Sequence, residues 1–158
     1  MTHDEPSGEP SMLARHRAAI DALDREILIH LNDRARHAQA IGKLKGEGLA
    51  YRPEREAQVL EGIAANNGGP LTNEVVTGVF RQIMSACLAL EQKLRIGYLG
   101  PAGTFSHAAV AKQFGAFVDA VPLPTIDDVF RAVESGQTEY AVVPVENSTE
   151  GSSGVRST

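Results

Sequence analysis

The sequence predicts an all-α domain of three helices, arranged as an intertwined dimer, followed by an incomplete α/β lobe with a parallel sheet. Three observations carry that reading. Apolar residues recur at helical spacings up to about residue 94. From Arg95 onward, short apolar runs alternate with helical patches across Gly-rich turns. The 158 residues suffice for one ordinary domain or two small ones.

The first helix is marked by Leu13, Ile20, Leu23, Ile27, Leu31, Ala38, Ile41 and Leu44, spaced by threes, fours and sevens as in an amphipathic stripe. No Pro or Gly interrupts 12–41, and Gly46 and Gly48 supply the stop. Pro53 suits a first helical position, and Glu54 and Glu56 then favour the positive end of the helix dipole. That second helix should run to about Ala65 and end in Asn66-Asn67-Gly68-Gly69-Pro70. Thr72 or Asn73 can cap a third helix, with Val76, Val79, Phe80, Ile83, Met84, Cys87 and Leu88 on its apolar face.

Length makes the first helix informative. Thirty or more residues at ~1.5 Å each give a rod of roughly 45–50 Å. A lone three-helix unit cannot cover such a rod, so a second subunit is expected. A solvated coiled-coil spacer is the alternative.

Beyond Arg95 the elements alternate. Arg95 to Leu99 reads as a strand, followed by the turn Gly100-Pro101-Ala102-Gly103-Thr104. A helix over Ser106 to Phe114, a strand over Val118 to Leu123, a helix over Ile126 to Ser135 and a buried strand over Tyr140 to Val145 complete the pattern. Strands alternating with helices imply a parallel sheet flanked by helices.

Composition excludes several classes. The content, 42% hydrophobic and 22% charged, is that of a globular chain. No apolar run approaches the ~20 residues that span a bilayer, so no membrane partner is expected. Met1 to Ser11 is acidic and rich in Pro and Gly, which reads as a short disordered leader without a secretion signal. Cys87 is the only cysteine, which forbids an intrachain disulfide and suits a reducing cytoplasm. A net charge of −5 argues against nucleic-acid binding. An anionic ligand would need a cationic site built locally.

The first helix can serve as a ruler for such a site. Arg34 and Lys45 are eleven residues apart and return to within about 20° of one another, provided the helix continues through Lys45. Arg17 lies 17 residues before Arg34, roughly 25 Å away. One small ligand cannot touch both Arg17 and Arg34 of one copy, but in an antiparallel dimer Arg17 could reach the partner's site. Taken singly, each of these residues also reads as a solvated surface cation.

Their wording narrows the choice. The stretches ARHRAAIDALDREILIHLNDRARHAQAIGKLK, YRPEREAQVLEGI and VFRQIMSACLALEQ resemble, over about residues 12–94, the helical chorismate mutase domain of bacterial bifunctional mutase–dehydratases. The resemblance implies that Arg17 of one subunit and Arg34 of the other clamp the two carboxylates of chorismate, a bidentate task suited to guanidinium. It implies Lys45 beside the ether oxygen of the breaking bond, Glu56 accepting from the ring hydroxyl, and Arg55 at the edge of the site. Arg52 stands where well-known members carry Asp, which sets its contact apart. Cys87 stands where some members carry Ser and reads equally as a core residue.

Glu91 is the largest departure. Members often carry Gln there, donating to the ether oxygen, whereas a carboxylate can donate only when protonated. If Glu91 fills that role, burial must raise its pKa against the pull of Lys45, and activity should favour mildly acidic pH. A plain surface residue is the other reading. The implied reaction, chorismate to prephenate, is an intramolecular rearrangement that needs neither metal nor cofactor, only a held conformer and donors at the ether oxygen.

GYLGPAGTFSHAAVAKQFG and YAVVPVENSTEG resemble the opening of prephenate dehydratase. Thr104 and Ser106 place hydroxyls near a helix N-terminus, a setting that suits a carboxylate. Glu146, Asn147 and Ser148 follow the last strand, at the end where open α/β sheets bind ligands. An ordinary capped loop is the plain alternative, and His107 reads as a helix-surface residue. The Thr-Arg-Phe motif that the family uses for catalysis is missing from the sequence. The tail Ser152 to Thr158 lacks an apolar continuation and reads as a frameshift, a scar or a premature end. Little or no dehydratase activity is therefore expected. The organisation expected is a leader over 1–11, a mutase domain over 12–94 and a truncated dehydratase domain over 95–158. A non-catalytic helical dimerisation or regulatory module fused to a small-molecule-binding lobe is the rival reading.

Overall fold

The structure, a computed structural model, describes residues 11–145, except 47 and 49, and the backbone of 152–156. Helix α1 spans Met12–Lys45, 34 residues where the apolar stripe called for thirty or more. The Ser11 hydroxyl caps it by accepting from the Ala14 amide at 3.2 Å. Gly46, with φ of +72°, ends it in a conformation that side chains resist. The helix thus runs unbroken through Lys45, as the eleven-residue spacing required. Internal contacts divide the chain between His37 and Ala38. In the unit before that division, the apolar residues of α1 face solvent: Ile20 and Leu23 are each 56% exposed and Ile27 54%.

In the second unit, α2 (Pro53–Asn66) packs along α3 (Asn73–Ala89). Pro53 opens α2, and Asn67 organises the turn between the helices. Its amide nitrogen donates to the Leu71 carbonyl and the Asn73 side chain, both at 2.8 Å, and its oxygen accepts from the Gly69 amide at 3.1 Å. Of the two candidate caps for α3, Thr72 does the capping, accepting from the Val75 amide at 3.3 Å.

The lobe that follows runs β1 (Arg95–Leu99), α4 (Phe105–Phe114), β2 (Asp119–Leu123), α5 (Ile126–Glu134) and β3 (Tyr140–Val145). Strands β2, β1 and β3 lie side by side and parallel. Alternation along β3 sorts the core into two clusters. Tyr140 and Val142 join Ile96, Tyr98, Val110 and Phe114 on the α4 side, whereas Ala141 and Val143 meet Val129 of α5. Tyr51, from the approach to α2, sits in the α4-side cluster, its ring centroid 5.4 Å from Phe114 and 5.2 Å from Tyr140.

Two expectations are corrected. A fourth strand, β4 (Ser152–Arg156), pairs antiparallel with β3, so the sheet is mixed and the tail is part of it. Such an edge strand is held through backbone groups, which a polar sequence such as Ser-Ser-Gly-Val-Arg supplies without apolar alternation. His107 is not simply a surface residue. Its ring stacks on Tyr98 at a centroid distance of 4.7 Å, and its Nδ1 accepts from the Gly103 amide at 2.9 Å.

Candidate active site

Glu91 lies just past the end of α3, and its carboxylate rests over Gly42 in the last turns of α1. A methyl group at Gly42 would meet that carboxyl group at 2.5 Å, so a side chain there would push the Glu91 carboxylate aside. Next to this contact opens a pocket of about 390 Å3, lined among others by Gln39, Gly42, Lys43, Glu91 and Gln92. That volume falls in the usual range for small-molecule sites. Gln92 holds one wall, its side-chain oxygen accepting from the Ala50 amide at 3.2 Å. The pocket therefore combines one cation, one carboxylate and two carboxamides.

Glu56 has other company. On the first turn of α2 its carboxylate lies 3.6 Å from the Arg81 guanidinium of α3, and both side chains are mostly buried. Burial raises the Glu56 pKa above the ordinary carboxylate value, and the Arg81 charge opposes that rise. The same Arg81 nitrogen donates to the Gln113 carbonyl at 3.2 Å, at the end of α4. Tyr51 is nearby: burial first, then the Glu56 charge, raises its hydroxyl pKa, while a side-chain hydrogen bond with Gln113 lowers it.

The remaining candidates are distributed as follows. Arg17 is exposed and Arg34 half-buried, both on the part of α1 before His37. Lys45 is exposed in the last turn of α1, and Arg52 and Arg55 are exposed where α2 begins. Cys87 is buried on α3, 6% exposed. In the lobe, the Thr104 hydroxyl is engaged at the start of α4, accepting from the His107 amide at 3.4 Å and lying 3.3 Å from the Leu99 carbonyl to which it donates. Ser106 is buried in the same turn. Glu146, Asn147 and Ser148 lie outside the described residues. Among the described residues, no group of three His, Cys, Asp or Glu side chains could hold a metal ion.

Comparison with known proteins bears on these readings. The model of the chorismate mutase type II family matches residues 16–92, and that of prephenate dehydratase matches residues 96–156. A bifunctional chorismate mutase/prephenate dehydratase from Neisseria gonorrhoeae is 56% identical over 143 residues, 90% of this chain and 40% of that protein. The chain corresponds to the amino-terminal part of the bifunctional chorismate mutase/prephenate dehydratases. A second such enzyme, from Stutzerimonas stutzeri, is 51% identical over 150 residues, 90% of this chain and 41% of that protein. The chain thus spans about two fifths of the length of these curated relatives. Among solved structures, chorismate mutase (form II) from Thermus thermophilus is 36% identical, with a TM-score of 0.48, over 50% of this chain and 92% of that one.

The dehydratase match runs to residue 156, so the tail expected to depart from the family falls within the matched stretch. In the mutase stretch, sequence reasoning missed Gln39, Lys43 and Gln92 as pocket residues and Arg81 as the partner of Glu56. A conspicuous RQIM stretch was on view, but nothing in it says which side chain faces Arg81. Gly42 could have been found: a glycine in an otherwise unbroken helix commonly marks a close approach.

Proposed function

We propose that the chain is a chorismate mutase, converting chorismate to prephenate within a homodimer, in the mutase part of a bifunctional enzyme of phenylalanine biosynthesis in the cytoplasm. The observation that carries this reading is α1, which runs from Met12 to Lys45 with its apolar stripe half exposed, all but its first four residues within the stretch that matches chorismate mutase type II. A second copy laid along that stripe would cover it and bring Arg17 to the partner's Arg34 and Lys45. Two guanidinium groups would then hold the carboxylates, and the ligand would be kept in its compact conformer. Lys45 and Glu91 act at the ether oxygen, where negative charge develops in the transition state. Glu56 accepts from the ring hydroxyl, while Arg55, Arg52 and Cys87 edge the site. No cofactor is called for by this rearrangement.

We assign the mutase domain to 12–94 and the dehydratase-type segment to 95–158, which the two family matches support. Thr104 and Ser106, with Glu146, Asn147 and Ser148, are proposed as prephenate-facing positions in that segment. Loss of chorismate absorbance on adding the purified chain tests the reading, with Arg34→Ala as control. The wild type should consume chorismate and the variant should lose at least ~100-fold in kcat/KM, the scale of a charged hydrogen-bonded pair. Equal inertness of both would favour a non-catalytic dimerisation module.

A further inference from the structure

We infer that Arg81 is a positioning residue for Glu56, anchored by the end of α4 in the dehydratase-type segment, so that this segment helps set the mutase site. The inference rests on the proposed mutase reading, in which Glu56 accepts from the ring hydroxyl of chorismate. Arg81 bridges two groups that come from different halves of the chain: the Glu56 carboxylate at 3.6 Å and the Gln113 carbonyl at 3.2 Å. One terminal nitrogen serves both, since it carries two N–H groups that point apart within the guanidinium plane.

The anchor itself is built. Along the same face of α3, the Gln82 side chain accepts from the Ala116 amide at 2.8 Å and the Ser85 hydroxyl from the Phe117 amide at 3.3 Å. Between them Gly115 comes so close that a methyl group there would lie 2.6 Å from the Ser85 Cβ. Arg81, Gln82 and Ser85 thus hold the α4–β2 turn in three successive hydrogen bonds, and Arg81 is the one that also reaches the candidate site. Tyr51 adjoins the arrangement from the approach to α2, its ring centroid 5.4 Å from that of Phe114 at the end of α4.

A half-buried carboxylate is a poor acceptor unless something keeps it ionised and aimed. Arg81 from α3 is the charge that does so, with the Tyr51 hydroxyl as the other titratable neighbour. Replacing the guanidinium should let burial push Glu56 further toward its protonated form, which cannot accept through that oxygen.

The test compares wild type, Arg81→Met, Arg81→Lys and both substitutions in a Glu56→Gln background, by chorismate consumption across pH, with circular dichroism to check folding. Arg81→Met should raise KM for chorismate about ten-fold and move the acid limb of kcat/KM to higher pH. Arg81→Lys should restore most of the pH profile, and in Glu56→Gln the Arg81→Met change should have no further effect. An unmoved acid limb in folded, active Arg81→Met, or an equal loss with and without Glu56, would overturn the inference. A wild type that consumes no chorismate would instead overturn the mutase reading itself.

Discussion

At the scale of single residues, Gly42 and Glu91 form a close pair. Gly42→Ala should place a methyl group where the Glu91 carboxylate now lies. Ala also favours a helix by up to ~1 kcal/mol over Gly, so thermal stability should hold or rise. Mutase turnover should nevertheless fall about ten-fold, because the displaced group is the one assigned to the ether oxygen. Stability and activity moving in opposite directions is the signature to look for, by calorimetry and chorismate consumption on the same preparation. Glu91 is exposed, so the burial that the sequence reading asked of it is not there. Glu91→Gln supplies an N–H donor in place of a carboxylate and should raise mutase kcat/KM, whereas an unchanged rate would remove the donor role. Glu139 offers a separate check on the lobe. Burial raises its pKa, but hydrogen bonds and charge from Arg95 outweigh that and hold it below the ordinary value of 4.5. Its contribution is therefore present above pH 4.5 and lost as pH falls through the lowered folded value. Glu139→Gln should unfold at lower urea than wild type at pH 7, and the gap should close in acid.

At the scale of elements, caps and stops were legible because they are local chemistry. Ser and Thr before a helix, Pro at its first turn and Gly past its end each act within four residues. So α1 through α5 and the three parallel strands could be read within a residue or two of where they lie. What could not be read is long-range. Tyr51 looks like an ordinary residue ahead of Pro53, and nothing local says that its ring belongs among Phe114 and Tyr140. Arg81 and Gln82 look like the polar side of α3, yet they are where the α4–β2 turn docks. Strand β4 escaped because backbone pairing leaves no apolar alternation behind. For the candidate site the division is similar: residue types were legible, whereas the pairing of Glu56 with Arg81 was not. The apolar stripe of α1 carries its own prediction. Ile27→Glu should prevent a second copy from covering that face, giving a monomer by sedimentation and at least a ten-fold loss of mutase turnover, with helix content kept.

For the whole molecule, the proposed site is divided between copies, so activity should follow association. Specific activity should fall on dilution and recover on concentration, in step with the fraction of dimer measured under the same conditions. Full turnover by a strictly monomeric chain would refute the shared arrangement of Arg17 with Arg34.

Tyr51 has a consequence for anyone who divides the polypeptide. A cleavage at about residue 94 looks harmless on a diagram, since it falls between two family matches. It would nonetheless strip the phenol ring of its aromatic sleeve, a loss on the order of 3–5 kcal/mol if it resembles large-to-small changes in cores. The liberated helical fragment should melt earlier than the intact chain, and adding back the severed lobe should restore part of the difference.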